Sequence, residues 1–276
     1  MNKYFVTSDV HSFYNELTHA LNEKGFDKDN PEHKLIICGD IFDRGDHSKE
    51  LYKFLKSLGD RFIFIRGNHE DLLKNCMEEI STGKYISNYH FSNKTVETIC
   101  QFAGVNPYDL ILRNINVTNK VCAIMQPILE WIDNKSVDYY ELGDYIFVHG
   151  WVPTINPNLS IFGKEPLRLA PREWWDNQED YSCKDIWRDA RWTNGMQAWK
   201  DGCVIPNKTI VCGHWHCSWG WSHIKQERKE FPNKGGDPQN PVWKKSFEPF
   251  AENGIIALDS CVAYSGFLNC IVIEGE

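Results

Sequence analysis

Five short polar clusters constrain this chain more than any other feature, because each one directly follows an apolar run. They are Ser8-Asp9-Val10-His11-Ser12, Gly39-Asp40-Ile41-Phe42-Asp43-Arg44-Gly45, Gly67-Asn68-His69-Glu70, Val148-His149-Gly150 and Gly213-His214-Trp215-His216. The apolar runs ahead of them predict strands at 3–8, 34–38, 61–65, 145–148 and 209–212. Amphipathic helices are expected at 13–24, 47–58 and about 70–82. Strands separated by helices of this length indicate βαβ units and a largely parallel sheet. In an open α/β sheet the carboxyl ends of the strands line the ligand crevice. Five polar clusters at such ends can therefore converge on one place, and they hold five of the chain's ten histidines.

The rest of the chain is less regular. Residues 83–143 read as mainly helical, with 124–133 the clearest stretch. Residues 152–207 are irregular, residues 222–250 polar and turn-rich, and two further strands are expected at 254–258 and 267–273. Nine of the eleven tryptophans lie between 174 and 243. Large aromatics dominate core burial, so a satellite core under a long insertion is the first reading. An aromatic rim that binds a base or an aromatic side chain is the second, with Trp215 its best candidate.

Composition serves mainly to exclude. The net charge of −8 argues against wholesale binding to nucleic acid or to acidic membranes. No apolar run approaches the roughly 18 residues of a membrane span. The start, Met1 to Val6, leads straight into a strand and has no signal-peptide h-region, so a cytoplasmic location is expected. The ten cysteines include no C-x-x-C pair and read as reduced, mostly buried thiols. Cys212 and Cys217 have no complementary pair with which to build a tetrahedral zinc site.

The set of clusters resembles the calcineurin-like metallophosphoesterase superfamily, and within it the phosphoprotein phosphatase branch in its compact bacterial and phage form. The family's motifs GDxHG, GDxxDRG, GNHE, HG or HAG, and GH or GHxH run in that order, and the match here extends from residue 8 to residue 216. Leu258-Asp259-Ser260-Cys261-Val262 is similar to the family's closing segment. The resemblance implies an α/β fold, a two-sheet β-sandwich flanked by helices in four α-β-β-α layers. It also implies a dinuclear metal site at the carboxyl ends of the strands. Residues 1–276 would form a single domain, with a Trp-rich insertion at about 152–207 covering one side of the cleft.

By the same resemblance Asp9 and His11 bind the first metal, and Asp40 bridges both. Asn68, His149 and His214 complete the second, and His216 can face the first. Two divalent ions are implied, manganese first, with iron, zinc and nickel as alternatives, since carboxylate, amide and imidazole ligands suit them all. The chemistry accounts for the residue types. Two close divalent ions acidify a water and clamp a phosphate, and an ionised carboxylate has two oxygens to share between them. His69 would be the general acid for the leaving oxygen, oriented by Asp43. Arg44 would grip phosphate oxygens, and a second arginine would be either Arg188 or Arg191. Glu70 reads as a first-turn helix acid.

The implied reaction is direct attack of a metal-bridging hydroxide on a phosphomonoester, foremost a phosphoserine or phosphothreonine protein. A nucleotide or dinucleoside-polyphosphate hydrolase is the alternative, and a catalytically inactive scaffold is the third reading. Partners are thus a phosphorylated protein or a small phosphoester, with no membrane or nucleic acid, and the oligomeric state stays open. The sequence departs from the family at Ser8 and Ser12, which stand where the family has glycines, and at the bulky Trp151-Val152-Pro153 after the HG pair. Taken singly, Asp40 and Asp43 could be turn or cap residues, and any one histidine a structural one. The ordered set favours function.

Overall fold

The computed structural model describes residues 1–155, 167–176, 185–227 and 241–276. The expected insertion at 152–207 and the turn-rich stretch at 222–250 therefore lie partly outside the described residues.

The chain forms twelve strands among the described residues. They are β1 Asn2–Thr7, β2 His33–Cys38, β3 Phe62–Ile65, β4 Ser136–Val137, β5 Tyr140–Leu142 and β6 Tyr145–Phe147, followed by β7 Thr154–Ile155, β8 Arg168–Leu169, β9 Thr209–Cys212, β10 Phe250–Glu252, β11 Ile255–Ala257 and β12 Ile271–Gly275. Two five-stranded sheets result, ordered β12-β1-β2-β3-β4 and β10-β11-β9-β6-β5. In the first, β1 to β4 run parallel and β12 closes the edge antiparallel. In the second, β6, β9 and β11 are parallel, with β5 and β10 as antiparallel edges.

Alternation along the strands produces the layers. Tyr4, Val6, Ile36, Cys38 and Ile65 of the first sheet meet Phe147, Val211 and Leu258 in one buried cluster between the sheets. The intervening residues Phe5, Leu35, Ile37, Phe62 and Phe64 face the other way into a helical layer. That layer contains α1 Tyr14–Glu23, α2 Ser48–Ser57, α3 Asn68–Ser81, α4 Asn88–Ser92, α5 Thr95–Ala103, α6 Pro107–Ile111 and α7 Ile115–Lys135. On the outer face of the second sheet, Ile146, Val148, Ile210 and Ile255 pack with Trp151, Trp175 and Trp187. The tryptophans there build a second core, joined by α8 Ile186–Arg191.

Apart from β4, the parallel strands appear within about two residues of their expected positions; β4 lies, like β5, inside the stretch 83–143 read as mainly helical. Two expectations miss for local reasons. The final strand begins at Ile271 instead of Phe267, because the Phe267 carbonyl accepts side-chain hydrogen bonds from Ser260 and Ser265 in a turn. The hairpin β5–β6 falls partly inside a stretch read as helical; its two strands have three residues each and turn at Gly143, whose φ is +55°.

Candidate metal and phosphate site

Strands β1, β2 and β9 end in sharp turns that present the polar side chains, while β3 leads into α3 and β6 into the His149 segment. Asp9, His11, Asp40, Asp43, Arg44 and His214 all have φ between 49° and 75°. Such left-handed backbone is uncommon outside glycine, least so for Asp and His, and costs on the order of 1–3 kcal/mol per residue. Two glycines allow the clusters to close on one another. Gly39 adopts φ +81°, and a Cβ there would strike the His149 ring, while a Cβ on Gly213 would strike the Asp9 carboxylate.

Two groups of ligand-type atoms result. His11, Asp40 and His69 form one, and Asp40, His149 and His214 the other, with the atoms of each group within 4.8 Å of one another. Asp40 is common to both. Its Oδ2 lies 3.8 Å from His11 Nε2 and from His69 Nε2, and its Oδ1 lies 3.3 Å from His149 Nε2. Asn68 joins the second group, with Oδ1 2.8 Å from His149 Nε2. Both carboxylate oxygens of Asp9 accept the His214 backbone N–H, at 3.2 and 3.0 Å, so the first and last clusters are tied directly.

These residues fit divalent cations. His11 Nδ1 lies 2.9 Å from the Phe42 carbonyl oxygen and His149 Nδ1 lies 2.8 Å from that of Cys38. Donation there leaves each Nε2 facing the site, the usual arrangement of a ligating histidine. Burial and the neighbouring Arg44 and His69 charges push His11 well below its usual value. Burial and His149 push His214 down to about 3, so both imidazoles keep a free lone pair. Burial also raises the Asp9 carboxyl well above its usual value, with Asp259 and Asp40 adding to the rise. Burial opposes ionisation of Asp40, but the facing imidazoles of His149 and His69 win and hold it well below the carboxylate range. His149 rises to about 10 against its own burial, through Asp40. Buried carboxylates that repel one another and attract protons onto imidazoles mark a place where a cation would relieve the repulsion.

The residues expected to handle phosphate sit beside the first group. His69 Nδ1 lies 2.8 Å from Asp43 Oδ2, and Arg44 Nη2 lies 3.3 Å from His69 Nε2. Burial works against a protonated His69, but Asp40 and Asp43 outweigh it and raise its pKa. Thr95 Oγ1 donates to the same Asp43 oxygen at 2.8 Å. Glu70 is structural: its carboxylate accepts the backbone N–H groups of Gly67, Asp40 and Ile41 and binds the turn after β2 to the start of α3.

A small cavity of about 90 Å³ runs over these atoms, lined by Asp9, His11, Asp40, Arg44, Asn68 and His69 together with Tyr89, Asn93, Trp192 and His214. Three expected residues lie apart from it. Arg188 pairs with Asp185 and Asp189 on its own helix. Arg191 is fixed by Asp71 at 2.9 Å and Asp138 at 2.6 Å, and both arginines line a separate polar cleft. His216 belongs to neither ligand group, and its Nδ1 lies 2.6 Å from Ser218 Oγ. Trp215, the expected rim residue, does not line the cavity, and Trp192 does.

Sequence reasoning missed Tyr89, Asn93 and Thr95, which lie in a helical stretch with no motif to mark them. Trp192 was visible only as one of many tryptophans. Asp259 was noticed in the closing segment without a role; its side chain is buried, and it accepts the Cys261 N–H at 2.7 Å.

Known proteins agree with this geometry. The sequence profile described as calcineurin-like phosphoesterase matches residues 3–218. Proteins named bis(5'-nucleosyl)-tetraphosphatase, symmetrical, are similar over shorter or longer stretches. One from Buchnera aphidicola subsp. Baizongia pistaciae is 39% identical over 70 residues, 25% of this chain and 24% of its own length. One from Proteus mirabilis is 36% identical over 80 residues, 29% of each chain. The chain thus spans less than a third of the length of those two relatives. A third, from Glaesserella parasuis, is 29% identical over 239 residues, covering 76% of this chain and 83% of its own. With the profile spanning all five clusters and the clusters meeting in one ligand-lined cavity, the chain belongs to the calcineurin-like phosphoesterase family.

Proposed function

We propose that the chain is a metal-dependent hydrolase of dinucleoside polyphosphates and related nucleotides, ahead of phosphoserine or phosphothreonine proteins. One observation carries the choice of substrate: the similarity to the Glaesserella protein runs through 83% of that protein's length. The ligand set itself is common to both readings, and a fold does not fix a substrate.

Asp9, His11, Asp40, Asn68, His149 and His214 would hold two divalent ions, manganese first. Bound there, the ions supply positive charge for the phosphoryl oxygens and make a water acidic enough to attack phosphorus. The chain's own residues do the rest. Arg44 reaches the cavity beside His69 and can offer two parallel N–H donors to phosphate oxygens. Asp43, steadied by Thr95, fixes the His69 ring and favours its protonated form. His69 then gives its Nε2 proton to the departing oxygen. A nucleotide leaves through a phosphate oxygen, which needs that proton far less than a serine alkoxide does. His216 and the two arginines of α8 take no part in this reading. We take residues 1–276 as one domain, with Trp192 bringing the insertion to the cavity edge. The nine described cysteines are all free, as suits a reducing cytoplasm.

The test is a hydrolysis panel with added Mn²⁺, comparing kcat/KM for diadenosine tetraphosphate, mononucleotides, a phosphoserine peptide and glycerol phosphate. The dinucleotide is expected to lead. A leading phosphopeptide would restore the protein phosphatase reading. No turnover of any substrate with ions bound would restore the inactive scaffold.

A further inference from the structure

The cavity over the ligands has room for a phosphoryl group and little else. Its volume is about 90 Å³, whereas sites that enclose a whole small ligand run to roughly 300–1,000 Å³. Whatever is attached to the phosphoryl group must lie along the rim. Two aromatic side chains stand there, and both are unusually exposed for lining residues: Tyr89 at 47% and Trp192 at 43%.

They arrive from different parts of the chain. Tyr89 is on α4, which packs on α5, the helix whose first residue Thr95 donates to Asp43. That is the side of the site that carries His69 and Arg44. Trp192 follows α8, and its ring meets His214 edge-on, with centroids 5.7 Å apart and planes at 87°. That is the side of the second ligand group. The backbone that carries each ring is held by its surroundings. The Asn93 amide donates to the Tyr89 carbonyl at 2.9 Å, and the buried His90 beside it faces Glu79 at 3.5 Å. Arg191, directly before Trp192, is tied to Asp71 on α3 and to Asp138 after β4. The Trp151 N–H donates to the Ala190 carbonyl at 3.1 Å, which fixes the end of α8 against the segment after His149.

We propose that Tyr89 and Trp192 form a two-sided base subsite, in which Tyr89 stacks on the base of the leaving nucleotide and Trp192 on the base attached to the phosphoryl group under attack. The assignment of sides follows from the acid: His69 must face the departing oxygen, and Tyr89 stands on the His69 side. Rings carried on a fixed backbone lose less entropy on stacking than rings on a mobile one, and every base offers a π face, so the subsite selects bases as a class over sugars or serine. The inference rests on the nucleotide reading proposed above.

The experiment uses the full chain with Mn²⁺ and glycerol phosphate as the assayed substrate. Inhibition constants are measured for AMP and for inorganic phosphate, and their ratio is the readout, so that a general loss of activity cancels. In the wild type, AMP is expected to inhibit more tightly than phosphate. In Trp192→Ala that advantage is expected to fall by about 5- to 150-fold, the span of one base–aromatic stack, whereas Tyr89→Ala, which removes the ring for the other base, is expected to leave it and to raise the KM for diadenosine tetraphosphate by a similar factor. Tyr89→Phe and Trp192→Phe, which keep a ring, are expected to retain it, and Trp192→Leu replaces the alanine variant if that one folds poorly. An AMP advantage that survives both ring removals overturns the subsite and leaves the nucleotide reading standing. A wild type that binds AMP no better than phosphate overturns the nucleotide reading itself. A ratio that responds for phosphotyrosine and not for AMP overturns the base assignment in favour of an aromatic side chain.

Discussion

The two ligand groups of this site are built on different principles. His11, Asp40 and His69 all lie directly after three neighbouring parallel strands of one sheet, the first two in turns and His69 at the start of α3, within the first 69 residues. Asp40, His149 and His214 join both sheets. The second group depends on contacts that no single βαβ unit contains: Asn68 against His149, the Cys38 carbonyl behind His149, and Asp9 beneath His214. The first group is thus a local product of strand order. The second reports whether the two sheets are correctly packed on the cluster between them. Asp40 is where the difference is reconciled, since one oxygen faces each group.

The strongest way to break the comparison is Asp40→Asn, which removes the charge both groups share. Metal is expected to be lost from both groups, and activity with it, as read by elemental analysis after gel filtration. Retention of two ions with full turnover would mean that each group stands without Asp40. His214→Ala sharpens the result, because it is expected to strip only the ion that spans the sheets and leave the one held by Asp9, His11 and Asp40.

Next in size is His69→Asn. Both ions should stay, while turnover falls by about 10²–10⁴, the worth of a general acid. The loss should be largest for glycerol phosphate and smaller for diadenosine tetraphosphate, whose leaving phosphate barely needs a proton. An equal loss on both would remove His69 from the acid role and make it a ligand of the first group, which its 3.8 Å distance to Asp40 permits.

The five clusters were legible because each places chemistry within two or three residues of a strand end, where alternating burial leaves a clear signal. The roles of His11 and His69 come from the family resemblance and the ordered set; local spacing alone shows only that each follows a strand end. Tyr89, Asn93 and Thr95 could not be read, since they act through the tertiary position of short helices. A five-residue helix has too few turns to show periodicity. Arg191 shows the reverse failure. Its neighbourhood in sequence pointed to phosphate, yet Asp71 and Asp138, 120 and 53 residues away, decide where its guanidinium goes. Spacing cannot reveal a partner that distant.

Arg191→Ala therefore separates the two accounts of that residue. As a tie between α8 and the first turn of α3, its loss should lower stability by about 1 kcal/mol or somewhat more, since the network is partly exposed. Differential scanning calorimetry would register this as a lower Tm, with the KM for glycerol phosphate nearly unchanged. A normal Tm with a strongly raised KM would return Arg191 to the phosphate.

The smallest expected effect is that of Thr95→Val. It deletes one hydrogen bond to Asp43, worth about 0.5–1.5 kcal/mol. The kcat should fall by up to about tenfold with no change in metal content, and only the first group's side of the site should respond. A change in metal content would show that the two groups communicate through the helical layer.

The tie between Asp9 and the His214 backbone also sets an order of events during synthesis. The residues of the first group have all been made once residue 69 is added, whereas the second group waits for residue 214. At ribosomal speed that gap is roughly ten seconds. Throughout it Asp9 lacks the N–H that will later hold it, and Asp40 Oδ1 lacks the His149 imidazole that will later face it. A nascent chain can thus offer an ion a half-built seat well before the complete one exists. A metal that resided there would be selected twice: first by Asp9, His11 and Asp40 on one sheet, and again when the second sheet closes over it.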